Sequence, residues 1–203
     1  MLKSVQWLFF DVGSTLVDES QANEHRIMDA IRETNISYDQ AYAQAVKLAR
    51  QNIAHPLKHL GLPLTPWHSE DEVLYPYAMN CLANLHEKYK IGIIANQNPG
   101  TADRMREYGL SPYLDLIVAS AEEKIEKPDV RIFQLALERA NCLPENAAMI
   151  GDRLDNDIVP AKRIGMVTIW IMQGFGGMGN PLTKEESPDY RVSNLEEICE
   201  LLI

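Results

Sequence analysis

Cysteine is scarce in this chain: Cys81, Cys142 and Cys199 are the three present. They are odd in number and widely spaced, which provides neither a disulfide framework nor a metal-binding pattern and points to a reducing cytoplasm. Long hydrophobic runs are missing as well. The apolar stretch Val5 to Phe10 is interrupted by Gln6 and stopped by Asp11, too short for a signal peptide or a membrane span. Positive charge is in deficit, with 19 Lys and Arg against 29 Asp and Glu and a net charge of -10. Such a chain repels nucleic acid and anionic membrane, so neither is an expected partner. A phosphorylated ligand stays possible, because a divalent cation reverses the local sign. There is no internal repeat, low-complexity tract or targeting tail, and no feature that specifies an oligomeric state.

What is present suits one α/β core with an insertion. The chain has 203 residues, and 46% of them are hydrophobic, enough for a continuous core. Val5 to Phe10 reads as a buried strand. A helix is expected from about Glu19 to Glu33 and another from Tyr38 to Asn52, each with apolar residues at helical spacing. His55 to Pro76 carries four prolines and Gly61, so loops and short helical turns are expected there. Tyr77 to Tyr89 is helical again. Short apolar runs then alternate with helices: strands at Ile91 to Ala95, Leu114 to Ala119, Ala147 to Ile150 and Met166 to Met172, with helices at about Thr101 to Tyr108, Asp129 to Asn141 and Asp155 to Ile164. Ser193 or Asn194 caps a last helix ending at Leu202. This rhythm implies a doubly wound parallel sheet, central first strand included, covered on both faces. The excursion after the first strand is too long for one crossover helix. It is read as a small α-helical cap at 18–74, with the core at 1–17 and 75–203.

Ligands of open α/β sheets bind at the carboxyl ends of the strands. Those ends carry Asp11-Val12-Gly13-Ser14-Thr15, then Asn96-Gln97-Asn98, then Ser120 with Lys127-Pro128-Asp129, then Gly151-Asp152 with Asp155, Asn156 and Asp157. Singly, an Asp after a strand is most often a turn former or helix cap. Together, Asp11, Asp152 and Asp157 would repel one another unless a cation sat among them, and oxygen ligands of this kind suit Mg²⁺. Pro128 is read as a first helical residue, which pins Lys127 at a strand-to-helix turn where its ammonium balances an anionic transition state.

These residues resemble the ordered motifs of the haloacid dehalogenase-like (HAD) hydrolases. Phe9 to Leu16 is similar to the first motif, Glu126-Lys127-Pro128-Asp129 with Ile132-Phe133 to the third, and Ile150-Gly151-Asp152 through Asn156-Asp157-Ile158 to the fourth. The resemblance runs the length of the chain and implies a Rossmann-like fold and a Mg²⁺-dependent phosphohydrolase acting on a small phosphorylated metabolite. It implies Asp11 as nucleophile, with Asp11, the Gly13 carbonyl, Asp152 and Asp157 at the metal. Lys127 steadies Asp11 and the phosphoryl group, and Thr15, Asn96 and Lys127 are the candidate substrate-binding residues.

Two positions depart from the motifs. Phosphatases of the family carry a second Asp two residues after the nucleophile as general acid and base, and here that place is Gly13. The second motif ends its strand in Ser or Thr, and here that place is Ala95. The expectation is slow hydrolysis of alkyl phosphates, an acid–base position degenerate at Gly13, and a gain on Gly13→Asp. A non-catalytic or regulatory binding protein is one alternative, favoured by Gly13 and Ala95 and opposed by intact Asp11, Lys127, Asp152 and Asp157; a metal-free dehalogenase-type hydrolase is the other, and the Asp152 and Asp157 pair speaks against it. Gly174-Phe175-Gly176-Gly177-Met178-Gly179 matches a dinucleotide fingerprint in letters, but Asn180-Pro181 follows where a helix must open, so it is read as a flexible loop at the rim of the site. The five histidines show no ligand spacing, and Trp67 and His68 are assigned to packing or loop roles ahead of substrate contact.

Overall fold

The computed structural model describes residues 2–53 and 55–203. Strand β1 (Trp7–Phe10) is followed by a two-residue strand β2 (Val17–Asp18) and two helices, α1 (Ser20–Ile31) and α2 (Tyr38–Ala49). Ser37 starts α2 with a reciprocal capping box, its hydroxyl accepting from Gln40 N while the Gln40 side chain accepts from Ser37 N. The Pro-rich stretch forms single 3₁₀ turns at Pro56–His59 and Ser69–Asp71, and then β3 (Val73–Leu74), which pairs antiparallel with β2. The chain continues through α3 (Ala78–His86), β4 (Lys90–Ala95), α4 (Thr101–Glu107), β5 (Leu116–Ala119), α5 (Ser120–Glu123), α6 (Val130–Arg139), β6 (Ala147–Gly151), α7 (Val159–Arg163), β7 (Val167–Ile171), β8 (Tyr190–Val192) and α8 (Leu195–Leu202).

Six strands form one parallel sheet in the order β5-β4-β1-β6-β7-β8. The first strand is interior, hydrogen-bonded to β4 on one side and β6 on the other. Alternate side chains serve opposite layers, as the two-residue period of a strand requires. Leu8 and Phe10 join Ile91, Ile93, Ile150 and Ile169 under α3 and α8. Phe9 faces the other way and packs with Ile94, Val118 and Met149 under Ile132, Phe133 and Ala136 of α6. The fold is a doubly wound α/β sheet, and α1 and α2 form a separate pair inserted between β1 and β4, packed through Ile27, Ile31 and Ala41.

Several local expectations differ from what forms. The strand β8 has no counterpart in the sequence reading; its three residues are too short to show a period. The β2–β3 pair was likewise not legible, because its partners lie far apart in the chain. The single helix expected from Asp155 is instead a π-helical turn, Leu154–Ile158, running into α7. Pro128 is not a first helical residue: Asp129 is the N-cap of α6, accepting from Arg131 N, and the helix begins at Val130. Asn194 caps α8 as expected. None of the described helices is long and apolar enough to cross a membrane.

Phe133 is fully buried on the α6 side. Phe133→Ala should lower unfolding free energy by about 3–5 kcal/mol in urea denaturation. Leu182, 72% exposed, should tolerate Ala within about 0.5 kcal/mol.

Candidate active site

The carboxyl ends of β4, β1 and β6 are adjacent because the strands are, and the polar residues that follow them meet there. Asp11 N still donates to Ile150 O (2.9 Å), so its backbone is held in the sheet as the strand ends. The chain then turns tightly, with Leu16 N and Val17 N both bonded to Val12 O at 2.9 Å and Ser14 at φ 52°. Asp11 keeps part of its side chain open to the cleft, 13% exposed, while Lys127 Nζ reaches Asp11 Oδ1 at 2.8 Å and Asp157 Oδ1 at 2.6 Å. The Lys127 side chain is 1% exposed and that of Asp157 is fully buried. Asp157 Oδ2 also accepts from Arg153 N (3.0 Å), so both its oxygens are engaged.

Asn96 lies at the end of β4 and borders the cleft, but its amide is occupied at both ends. Nδ2 donates to Lys127 O (2.8 Å) and Oδ1 accepts from Lys127 N (2.7 Å). It holds the lysine's main chain while still bordering the cleft, where a substrate contact is expected. Thr15 departs from expectation: it is fully buried, its Oγ1 has no hydrogen-bond partner among the described residues, and it does not line the cleft. Its neighbour Ser14 does, and donates to Glu19 Oε2 at 2.9 Å. Gly13 borders the cleft beside Asp11.

Asp152 follows β6, is 4% exposed, and its carboxylate takes part in no hydrogen bond or ion pair among the described residues. Carboxylate oxygens of Asp11, Asp152 and Asp157 all lie within 4.8 Å of one another. Burial pushes the Asp152 carboxyl well above its ordinary value, with the charges of Asp157 and Asp11 adding to the effect. Burial raises Asp157 to about 6 against the opposing pull of Lys127. Burial pulls Lys127 down, but the two carboxylates beside it outweigh that and hold it above its ordinary value, so it stays an ammonium. Three carboxylates against one ammonium leave an excess of negative charge that fits a bound cation.

The Gly-rich segment supports this end of the sheet. It is an irregular loop with a 3₁₀ turn at Gly176–Met178, not a helix, which agrees with rejecting a dinucleotide site. Its glycines serve close packing: a Cβ at Gly176 would stand 2.2 Å from Asp152 Oδ2.

The inserted helices and the strand ends enclose a cleft of about 870 Å³. Among the described residues five cationic side chains border it, Arg26, Lys58, Arg104, Lys127 and Arg153. Arg26 lies over the Trp67 ring at 5.4 Å, and Trp67 Nε1 donates to Glu72 Oε1 at 2.6 Å, so Trp67 does line the cleft. His68 does not; it stacks on His25 at 3.5 Å and bonds Asp29 and Glu70. The fold thus brings His25, His68 and Glu70 within 4.8 Å of one another although their spacing carried no signal. Burial lowers His55 to about 4, with Arg153 and Lys58 contributing, and its Nε2 lies 3.0 Å from Arg153 Nη1.

One cleft residue was read only as a helix start. Glu19 is the N-cap of α1, and its carboxyl turns back into the cleft beside Gly13. Burial pushes it up to about 7; the Ser14 hydrogen bond opposes this and the Asp11 charge adds to it. An acidic residue at the mouth of the insertion was the available signal, but helix-start statistics account for it equally well.

Comparison with known proteins adds four findings. The model of the haloacid dehalogenase-like hydrolase family matches residues 5–165. The chain is 30% identical to a glyceraldehyde 3-phosphate phosphatase of Pyrococcus furiosus, over 99% of this chain and 94% of that protein. It is 35% identical to a phosphoserine phosphatase of Thermus thermophilus over 62% of this chain and 49% of that one. Among solved structures, a HAD phosphatase from Thermococcus onnurineus superposes with a TM-score of 0.66 at 24% identity, covering 98% of both chains.

Two outcomes follow from the electrostatics. Lys127→Met leaves two buried carboxylates without their cation and should cost about 3–5 kcal/mol in urea denaturation, a loss partly recovered by adding Asp157→Asn. Glu19 holds its proton more tightly in the fold, at about 7 against 4.5. Its contribution to stability is therefore full below about 4.5 and lost as pH rises through about 7. In the metal-free protein, Glu19→Gln should flatten the fall in unfolding free energy across that window.

Proposed function

This chain belongs to the haloacid dehalogenase-like hydrolase family, and from that premise we propose a Mg²⁺-dependent phosphohydrolase that works through an aspartyl-phosphate on Asp11. It is an enzyme of the family's phosphatase type. The observation that carries the finer reading is the set of three converging carboxylates with one buried ammonium. Asp11 is the most exposed member of that set and lines the cleft.

Residues 1–17 and 75–203 are the catalytic core, and 18–74 are the cap that closes over it. Asp11 attacks phosphorus through a carboxylate oxygen. Lys127, tied to Asp11 and Asp157, orients the nucleophile and offsets charge on the phosphoryl group. Asp157 and Asn96 position Lys127, one at its ammonium and the other at its main chain. Asp11, Asp152 and the Gly13 carbonyl would hold Mg²⁺, with Asp157 beside them. The unpaired, buried carboxylate of Asp152 is the feature that fits the ion. When bound, Mg²⁺ supplies positive charge that lets an anionic phosphoryl group approach an anionic nucleophile.

The substrate is a small phosphorylated metabolite. Two relatives are named for the phosphate esters of a triose and of an amino acid, and a cleft of about 870 Å³ with five cationic residues on its walls suits such a ligand. Three free cysteines fit a reducing, cytoplasmic setting.

A screen of phosphorylated metabolites and acyl phosphates, with and without Mg²⁺, tests this. Turnover should require the ion, and Asp11→Asn should abolish it, since an amide is no nucleophile. Calorimetry should find Mg²⁺ binding lost in Asp152→Ala. Metal-independent turnover, or binding unchanged in that variant, overturns the assignment.

A further inference from the structure

Asp11 can break a phosphate ester only if the departing oxygen is stabilised, and an alkoxide needs a proton to leave. The groups around Asp11 are nearly all committed. Lys127 is buried between two carboxylates, Asp157 accepts two hydrogen bonds, and Asn96 spends both ends of its amide on Lys127. His55 is bonded to Arg153.

Two carboxyls remain: Asp152, which the phosphohydrolase reading gives to Mg²⁺, and Glu19. Its Oε2 accepts from Ser14 Oγ at 2.9 Å, and Oε1 takes part in no hydrogen bond or ion pair among the described residues. That free oxygen lies where residue 13 would carry its first side-chain atom, 2.3 Å from an ideal Cβ at Gly13. The carboxyl therefore fills the space left by the missing side chain, on the cleft wall that Asp11 also lines. Its backbone is anchored at the start of α1: Ser20 N donates to Asp18 Oδ1 (2.8 Å) and Asn23 N to Glu19 O (2.9 Å).

We propose that Glu19 is the acid–base catalytic residue of this site, presented from the first turn of the inserted helices into the space that Gly13 leaves open. The proposal rests on the phosphohydrolase reading and extends it to alkyl phosphate esters as substrates. In the first step an Asp11 oxygen bonds to phosphorus as the bond from phosphorus to the ester oxygen breaks. Glu19 gives its proton to that oxygen, releasing the alcohol and becoming a carboxylate. In the second step a water oxygen bonds to phosphorus while Glu19 takes one of the water's protons. The phosphorus–Asp11 bond breaks, which returns inorganic phosphate, the Asp11 carboxylate and protonated Glu19.

Gly13 follows from the same geometry. A Cβ at 13 and the Glu19 carboxyl compete for one volume, so Gly13→Asp displaces Glu19 instead of adding a second acid. The gain on Gly13→Asp expected from sequence is replaced by no gain over wild type.

The test compares wild type, Glu19→Gln, Glu19→Ala and Glu19→Ala/Gly13→Asp in Mg²⁺, using nitrophenyl phosphate, glycerol 3-phosphate and O-phosphoserine. Wild type should hydrolyse at least one of the two alkyl esters. Glu19→Gln should lose about 10²–10⁴-fold on it. With nitrophenyl phosphate, whose leaving group needs no proton, Glu19→Gln should release a burst of about one nitrophenolate per active site and then turn over slowly, because the phospho-enzyme lacks its base. Restoring a carboxyl with Glu19→Ala/Gly13→Asp should recover alkyl ester turnover relative to Glu19→Ala. Equal losses on activated and alkyl esters, without a burst, mark a structural role and overturn the proposal. Wild type that hydrolyses nitrophenyl phosphate but neither alkyl ester also overturns it and leaves the phosphohydrolase reading standing. No turnover of any ester overturns both.

Discussion

A lysine ammonium sealed from water is costly unless carboxylates surround it, and the site is built around one such group. Lys127 is 3% exposed and lies between Asp11 and Asp157. Those partners follow β1 and β6, and Asn96, which holds the Lys127 main chain, follows β4. The three strands are neighbours in the sheet, with β1 in the middle. Strand order and register therefore decide whether the ammonium is paired. A slip of β1 by one residue would exchange Phe9 and Phe10 between layers and withdraw Asp11 from Lys127 at the same time.

Charge is unevenly settled around this centre. Lys127 satisfies Asp11 and Asp157, while Asp152 stays buried with no partner in hydrogen-bond reach among the described residues. Unpaired buried carboxylates are rare in folded proteins because desolvation is not recovered. Here the imbalance borders a cleft and lies next to a group with nucleophilic capacity, which is the arrangement a cation-assisted reaction on a phosphate needs. Close packing sharpens it. The Gly176 backbone approaches Asp152 where no larger residue fits, and Gly13 leaves room for the Glu19 carboxyl.

The inserted helices are coupled to this centre at two places. The β2–β3 pair forms the neck, and Glu19 follows it directly, so a polar group of the cleft is carried by the first residue outside the sheet domain's loop. On the far side Asn52, just beyond α2, exchanges two hydrogen bonds with the main chain of Asn180 at 2.7 Å each, and Tyr42 meets Phe175 of the Gly-rich loop. A movement of the helical pair would change both the exposure of Asp11 and the position of Glu19.

The sequence by itself determined the sheet class, the interior strand, the long helical excursion and the placement of Asp11, Lys127, Asp152 and Asp157 at strand ends. These are local signals: apolar runs of strand length, helical spacing, and polar residues where a strand must turn. Tertiary structure alone decided which of those polar groups face one another. It made Asn96 a clamp on Lys127, sank Thr15 and set Ser14 on the cleft wall, brought His25 to His68, and set Glu19 beside Gly13. It also made the short strands β2, β3 and β8, whose two or three residues are extended because a distant segment pairs with them. Hydrogen bonds and charge pairs between such segments depend on three-dimensional proximity, and a periodic pattern along the chain carries no record of it.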